Sequence, residues 1–281
     1  MSSSVVITTY NAPRELDLVL EGVSRQSAPP TEVLVADDGS ADETRGVVAG
    51  WAGRLAVPLH HVWQDDLGRR KCRIVNEAVR RSTGDILVFL DGDSIPHRHW
   101  LADHGRSARP GRVLCGRRVR LGPGISARIK SGALPVGRLE LPFGAVARSA
   151  LVGETHRALL GIRLPVPLAR LFHPRSRKLM GVNFSVSREA YERVNGYDEA
   201  YDSYGFEDYD LEIRLRRAGY DLYPLLNRAV VYHLHHPMSA FTDDSRKRLL
   251  ALAASSRIRC EQGLAPHEGQ DGRDRDASRS R

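Results

Sequence analysis

Four short clusters in this chain bring together side chains able to do chemistry. Asp91-Gly92-Asp93 follows five apolar residues, Ile86 to Leu90. Two carboxylates separated by one small residue can point the same way and hold a hard divalent cation, and the glycine between them lets a phosphate approach. Asp37-Asp38-Gly39-Ser40 sits likewise after an apolar run, Val33 to Ala36. A tight turn with a helix cap accounts for Gly39 and Ser40 but not for two consecutive aspartates. The third cluster, Gly205-Phe206-Glu207-Asp208-Tyr209-Asp210-Leu211-Glu212, places acidic residues where a helix would begin. The helix macrodipole would keep a carboxylate ionised there, as suits a base that deprotonates a hydroxyl near neutral pH. The fourth is His233-Leu234-His235-His236, whose imidazoles could complete a metal site. Asp-x-Asp is common in turns and a lone histidine is usually structural, so these clusters gain weight from where they lie.

Their positions follow from the elements around them. Val5 to Thr9 reads as a buried strand, and Pro13 opens a helix with Leu16, Val19, Leu20 and Val23 on one face. Val33 to Ala36 is a second strand; Ser40 and Glu43 have capping-box spacing, which predicts a helix running to Trp51. A strand over Leu59–Trp63, a helix over Arg70–Arg81 and the strand Ile86–Leu90 complete a strand–helix alternation. That pattern predicts an α/β fold with a doubly wound, mostly parallel sheet flanked by helices. Ligands of such sheets sit beyond the carboxyl ends of the strands, where the first two acidic clusters lie. Further strands are expected at Arg112–Gly116, Met180–Val186 and Ala229–Tyr232, with helices from Arg188 to Val194 and from Phe206 to Gly219. Gly122 to Met180 gives no clear boundaries, and the Gly/Asp/Arg/Ser-rich end is expected to be disordered. The expected division is 1–116, 117–258 and a tail over 259–281.

Composition narrows the class. Hydrophobic residues at 41% and charged residues at 27% are those of an ordinary globular protein, and 6% aromatics leave little for an aromatic-lined nucleic-acid or carbohydrate platform. No stretch approaches the about 18 apolar residues that cross a bilayer. The three cysteines, Cys72, Cys115 and Cys260, form no disulfide or zinc pattern, and no leader precedes Val5. A reducing cytoplasm is the expected location, with the inner face of the membrane as its peripheral variant. The net charge is +8, and Gly105 to Met180 holds sixteen Lys and Arg against Glu140 and Glu154. The remainder is therefore net acidic, and this basic segment is expected to face an anionic partner. No Gly-x-x-x-x-Gly-Lys-Ser/Thr loop, Gly-x-Gly-x-x-Gly fingerprint or Gly-x-Ser-x-Gly elbow occurs, which argues against simple kinases, dehydrogenases and serine hydrolases.

Taken in order, these pieces resemble glycosyltransferase family 2 enzymes of GT-A fold, in the branch with a galactosyltransferase-like C-terminal acceptor half. The matching stretches are Val5–Asn11, Val33–Ser40, Gln64–Gly68 with Arg70 and Asn76, Gly84–Asp93, Gly181–Ser185, Gly205–Asp208 and Val231–His233. The resemblance implies a nucleotide-sugar donor, foremost a UDP-sugar, held through base and ribose by Thr8, Tyr10 and Asp38, with Arg70 among the donor contacts. It implies that Asp91 and Asp93 meet the ribose and a Mn²⁺ or Mg²⁺ bridging the diphosphate, with His233 as a further metal ligand. It makes Asp208 the base, Glu207 an acceptor-hydroxyl contact, and inversion the stereochemical outcome. Arg69 departs from the aromatic residue more usual in this branch, and the basic middle looks like an insertion on the acceptor side. The acceptor is therefore open among a glycan, a lipid-linked and a small-molecule hydroxyl. Two competing readings are a catalytically inactive nucleotide-sugar-binding protein and a sugar nucleotidyltransferase. The latter usually needs a glycine-rich basic loop where Thr8 to Pro13 stands.

Overall fold

A computed structural model describes residues 2–141, 144–173, 178–237 and 240–265. In chain order the elements are β1 (Ser3–Thr9), α1 (Pro13–Ser24), β2 (Glu32–Asp37), α2 (Asp42–Ala52), β3 (Leu59–Trp63), α3 (Lys71–Arg81), β4 (Ile86–Asp91), β5 (Ser94–Pro96), α4 (Trp100–Ser107), β6 (Arg112–Cys115) and β7 (Arg118–Arg120). Then come α5 (Pro123–Lys130), α6 (Ala145–Leu151), α7 (Val166–Leu171), β8 (Asn183–Ser187), α8 (Arg188–Arg193), α9 (Glu207–Arg217), β9 (Asp221–Pro224), β10 (Val231–His233) and α10 (Asp243–Ala254). Short 3₁₀ turns at Val136–Glu140 and Ala158–Gly161 connect the middle helices.

Seven strands form one sheet in the order β3-β2-β1-β4-β8-β6-β9, in which β8 alone runs against its neighbours. The expected doubly wound, mostly parallel sheet is therefore present. The runs Val33–Ala36 and Ile86–Leu90 are apolar on both faces because helices cover both faces. One core lies between the sheet and the α1 side, built on Leu16, Val19, Trp100 and Tyr232. The other packs α3, α8 and α9 on the opposite face, with Phe89 and Phe184 stacked at 4.4 Å.

A second sheet of three strands, β5-β10-β7, stands at the carboxyl end of β4. Its register sets Ser94 opposite His233 and His233 opposite Arg120. Asn183 fixes it to the main sheet: its buried amide donates to the carbonyls of Arg117 and Ala229 and accepts from the indole of Trp100. His104 completes that junction, bonding Asn183 at 3.0 Å and Ser185 at 2.8 Å; burial pulls its imidazole down to about 4, so it stays neutral. All donors and acceptors there are matched, which is what lets a polar junction persist in a core.

Two local expectations change. Ser40 does not cap α2, which starts behind Ala41 without a side-chain cap. Its hydroxyl instead accepts the N–H of Asn11 at 2.8 Å, tying the β1 and β2 loops together at the sheet's mouth. Gly92 is also required by packing, because a Cβ there would meet the carbonyl oxygen of Thr8 at 2.6 Å, the oxygen to which its own N–H donates. The expected tail begins too early. Cys260 is buried, Leu264 packs against the core, and the N–H of Leu264 and Ala265 bond Asn195. A few apolar side chains there suffice to hold the segment; the rest of the expected tail, 266–281, lies outside the described residues.

Candidate active site

The carboxyl ends of β1, β2, β4 and β10 open into one cavity of about 780 Å³. Thr8, Thr9, Tyr10, Asp38, Asp91, Asp93 and His233 all line it, so the structure gathers most of the sequence-selected residues. Asp38 is buried, and burial pushes its carboxyl up. The N–H of Arg70 at 2.9 Å and the amide of Gln64 at 2.6 Å partly counter this. Tyr10 is half exposed and donates to Asp66 at 3.0 Å, a flat ring at the edge of the cleft. Arg70 itself is not among the lining residues. Its backbone serves Asp38 and its guanidinium donates to the carbonyl of Asp65, so it shapes the loop.

Asp91 and Asp93 part company. Asp91 accepts from the hydroxyl of Thr8 at 3.0 Å and from Lys71 at 3.2 Å. Burial would lower the ammonium of Lys71, but Asp91, with Asp208 and Glu207 behind it, outweighs burial and raises it. Asp93 faces the other way. Its carboxylate meets the Nδ1 of His233 at 2.9 Å and the Nε2 of His236 at 3.2 Å, so the two imidazoles and the carboxylate could share one ion. Burial pushes Asp93 up, yet the bonds to both histidines outweigh it and hold the group well below the usual carboxylate range. Bonding to Asp93 in turn raises the imidazole of His236. His236 lies in the fourth cluster, but sequence spacing alone does not choose it over His235, whose ring is not among the three groups brought together.

Two imidazole nitrogens and one carboxylate oxygen suit a divalent transition metal better than Mg²⁺, which prefers an all-oxygen shell. The residues thus fit a bound cation with coordination positions left for ligand oxygens. Among the described residues, two lining side chains also keep a buried polar atom without a partner, the hydroxyl of Thr9 and Nε of Arg118. Buried donors are normally satisfied, so these two atoms are available to a polar ligand in the cavity.

Glu207 and Asp208 lie behind the cavity wall formed by Arg69, Lys71 and Tyr204. Glu207 is buried and paired with Arg69 at 2.6 Å; Arg69 also lies over the Tyr204 ring. The departure at position 69 thus has a partner. Asp208 accepts from the N–H of Gly181 at 2.7 Å and the hydroxyl of Tyr197 at 2.9 Å. A Cβ at Gly181 would lie 2.6 Å from the Asp208 carboxylate, so glycine is what permits the contact. Phe206, at φ 71°, makes the strained entry into α9 and is held by packing on Phe241 at 4.8 Å. The macrodipole does not decide the charge of Asp208. Burial and then Glu207 push its carboxyl up, against Lys71 and the Gly181 N–H. Nothing in the sequence signals Tyr197, Lys71 or Arg118, because their roles depend on elements that meet only in the fold.

A family model described as glycosyl transferase family 2 matches residues 4–140, and one described as N-terminal domain of galactosyltransferase matches 170–237. Validoxylamine A glucosyltransferase of Streptomyces hygroscopicus subsp. limoneus is 32% identical over 228 residues, 77% of this chain and 48% of that protein. The chain thus spans about half the length of this relative. Among solved structures, S. aureus TarS 1–349 in complex with UDP superposes with a TM-score of 0.61 at 16% identity, covering 94% of this chain and 68% of that one. The mannosyltransferase PcManGT from Pyrobaculum calidifontis, in complex with GDP-Man and Mn²⁺, gives 0.56 at 19% identity, covering 90% and 68%. The architecture is accordingly that of the GT-A glycosyltransferases.

Proposed function

The chain belongs to glycosyl transferase family 2, and we propose that it transfers a hexose or N-acetylhexosamine from a nucleoside-diphosphate sugar to an acceptor hydroxyl, with a bound divalent cation and inversion. The observation that carries this is the placement of Asp38, Asp91 and the Asp93–His233–His236 cluster along one cavity, with Asp208 behind its wall. Asp38, Thr8 and Tyr10 receive base and ribose, Asp91 the ribose side. Asp93, His233 and His236 would hold the cation, which when bound would neutralise charge on the departing diphosphate. Mn²⁺ suits this ligand set better than Mg²⁺. Asp208 takes the acceptor proton, oriented by Tyr197 and Gly181, while Glu207 acts on the acceptor hydroxyl through Arg69, which lines the cavity. UDP-sugars are the first donors to test, since one of the neighbouring folds was solved with UDP. A panel of UDP-, GDP- and dTDP-sugars scored for slow Mn²⁺-dependent hydrolysis tests the proposal. Hydrolysis of one donor is the expected result, and none with any donor overturns it.

The acceptor side is a basic, apolar rim. Leu151, Val152, Leu159, Leu168, Leu171 and Phe172 are exposed, Leu151 by 87% and Leu171 by 77%, and Arg148, Arg157 and Arg170 are exposed among them. Gly153, Glu154 and His156, next in the chain, line the cavity. Apolar and cationic groups together complement an acidic lipid leaflet, which would bring a lipid-linked acceptor to this mouth. Part of the basic segment is spent internally, with Arg163 on Asp103 at 2.8 Å and Arg117 on the carbonyl of Lys178. The exposed remainder should float with phosphatidylglycerol vesicles at low salt, less at high salt, and lose that binding in the double variant Leu168→Glu, Leu171→Glu. Each cation contributes about 1 kcal/mol, screened by salt. No flotation at low salt leaves a water-soluble acceptor.

A further inference from the structure

Arg118 lines the cavity with Asp93, His233 and His236 and is partly buried. No hydrogen bond or ion pair of its guanidinium is found among the described residues, and its Nε is buried without an acceptor. By contrast Arg214 pairs with Asp210, Arg228 with Asp103 and the partly buried Arg69 with Glu207. A half-desolvated guanidinium without an anion is costly, so a cavity that keeps one offers it to a ligand.

Position says which anion. Across the two sheets the site runs from Asp38 after β2, through Thr8 on β1 and Asp91 on β4, to Asp93, then His233 on β10, and last to β7. A nucleotide-sugar laid along this line has its nucleoside at Asp38 and its diphosphate at the Asp93 cluster. Beyond that cluster, at β7, the phosphoryl group farther from the nucleoside would come to lie. We infer that Arg118 is a leaving-group residue, donating to an oxygen of that distal phosphoryl group. This rests on the nucleotide-sugar reading above. In transfer the acceptor oxygen bonds the anomeric carbon as the carbon–oxygen bond to the distal phosphoryl breaks. The electron pair stays on the phosphoryl oxygen and the acceptor proton goes to Asp208. Charge grows on the oxygen to which Arg118 would donate, so that contact would strengthen towards the transition state.

Calorimetric titration of the full chain with Mn²⁺ and UDP, GDP or dTDP, whichever the unaltered protein binds best, and with the matching monophosphate, tests this. Arg118→Met should weaken the diphosphate about tenfold or more and leave the monophosphate within about twofold. Arg118→Lys should recover part of the loss, and kcat should fall in Arg118→Met more than the acceptor KM moves. Unchanged diphosphate affinity in a folded Arg118→Met protein, equal losses for both nucleotides, or a shift confined to the acceptor KM each overturns the assignment. If the unaltered protein binds none of the diphosphates, the donor reading falls and this assignment with it; binding with an unmoved Arg118→Met value overturns the assignment alone.

Discussion

Asp208→Asn should lower sugar transfer by about 10²–10⁴ while leaving donor binding intact, the range expected for loss of a general base. The substitution suits the site. An asparagine oxygen can accept the Gly181 N–H as the carboxylate does, and its amide can donate to the Tyr197 oxygen once that hydroxyl turns. The pH profile supplies a second readout. Burial and the neighbouring Glu207 push the Asp208 carboxyl above its ordinary value of about 3.9, so the ionised, active form is lost as pH falls through that raised value. Transfer should therefore rise with pH along a limb displaced upward from an unperturbed aspartate, and Asp208→Asn should flatten it. Near-wild-type transfer by Asp208→Asn would remove the assignment and pass it to Glu207. Asp210 is no substitute, because it is buried against Arg214 at 2.6 Å and Tyr201 at 3.4 Å.

The same cluster shows what a sequence can and cannot carry. Its acidic run before a helix was visible, as were the long strands, because Val33–Ala36 and Ile86–Leu90 are apolar on both sides and end in aspartates. The three- and four-residue strands β5, β7 and β9 are too short for any period to stand out, yet β5 and β7 flank the strand bearing His233. Helix α4 was equally hidden: Asp103 and His104 look like surface residues but are buried, matched by Arg163, Arg228, Ser185 and Asn183. The basic middle resolved into three short helices whose prolines begin two of them rather than break them. Charge direction was the other blind spot. A helix start favours an ionised carboxylate, but desolvation and a like charge next door are larger effects, and both come from tertiary contacts.

Asp93→Ala should abolish cation-dependent donor binding, a loss of about 10²-fold or more, since even partners that only orient a metal ligand cost about 10–100-fold when removed. The chain should still fold. Asp93 is partly exposed, its imidazole partners keep access to solvent or to the hydroxyl of Ser94, and the Asn183 junction that anchors the second sheet is untouched. The decisive comparison is with chelation. If Asp93, His233 and His236 act by holding one ion, excess chelator should reduce donor binding by the unaltered protein as far as the substitution does. It should then have no additional effect on Asp93→Ala. His236→Ala should fall between, because Asp93 and His233, 2.9 Å apart, remain as a two-ligand site. Asp91→Ala should behave differently, weakening the donor while leaving its response to chelator, because Asp91 is engaged with Thr8 and Lys71 rather than with the cluster. Full turnover of the unaltered protein in excess chelator would overturn the metal site. The Asp93–histidine contacts would then serve only to hold β10 against the end of β4.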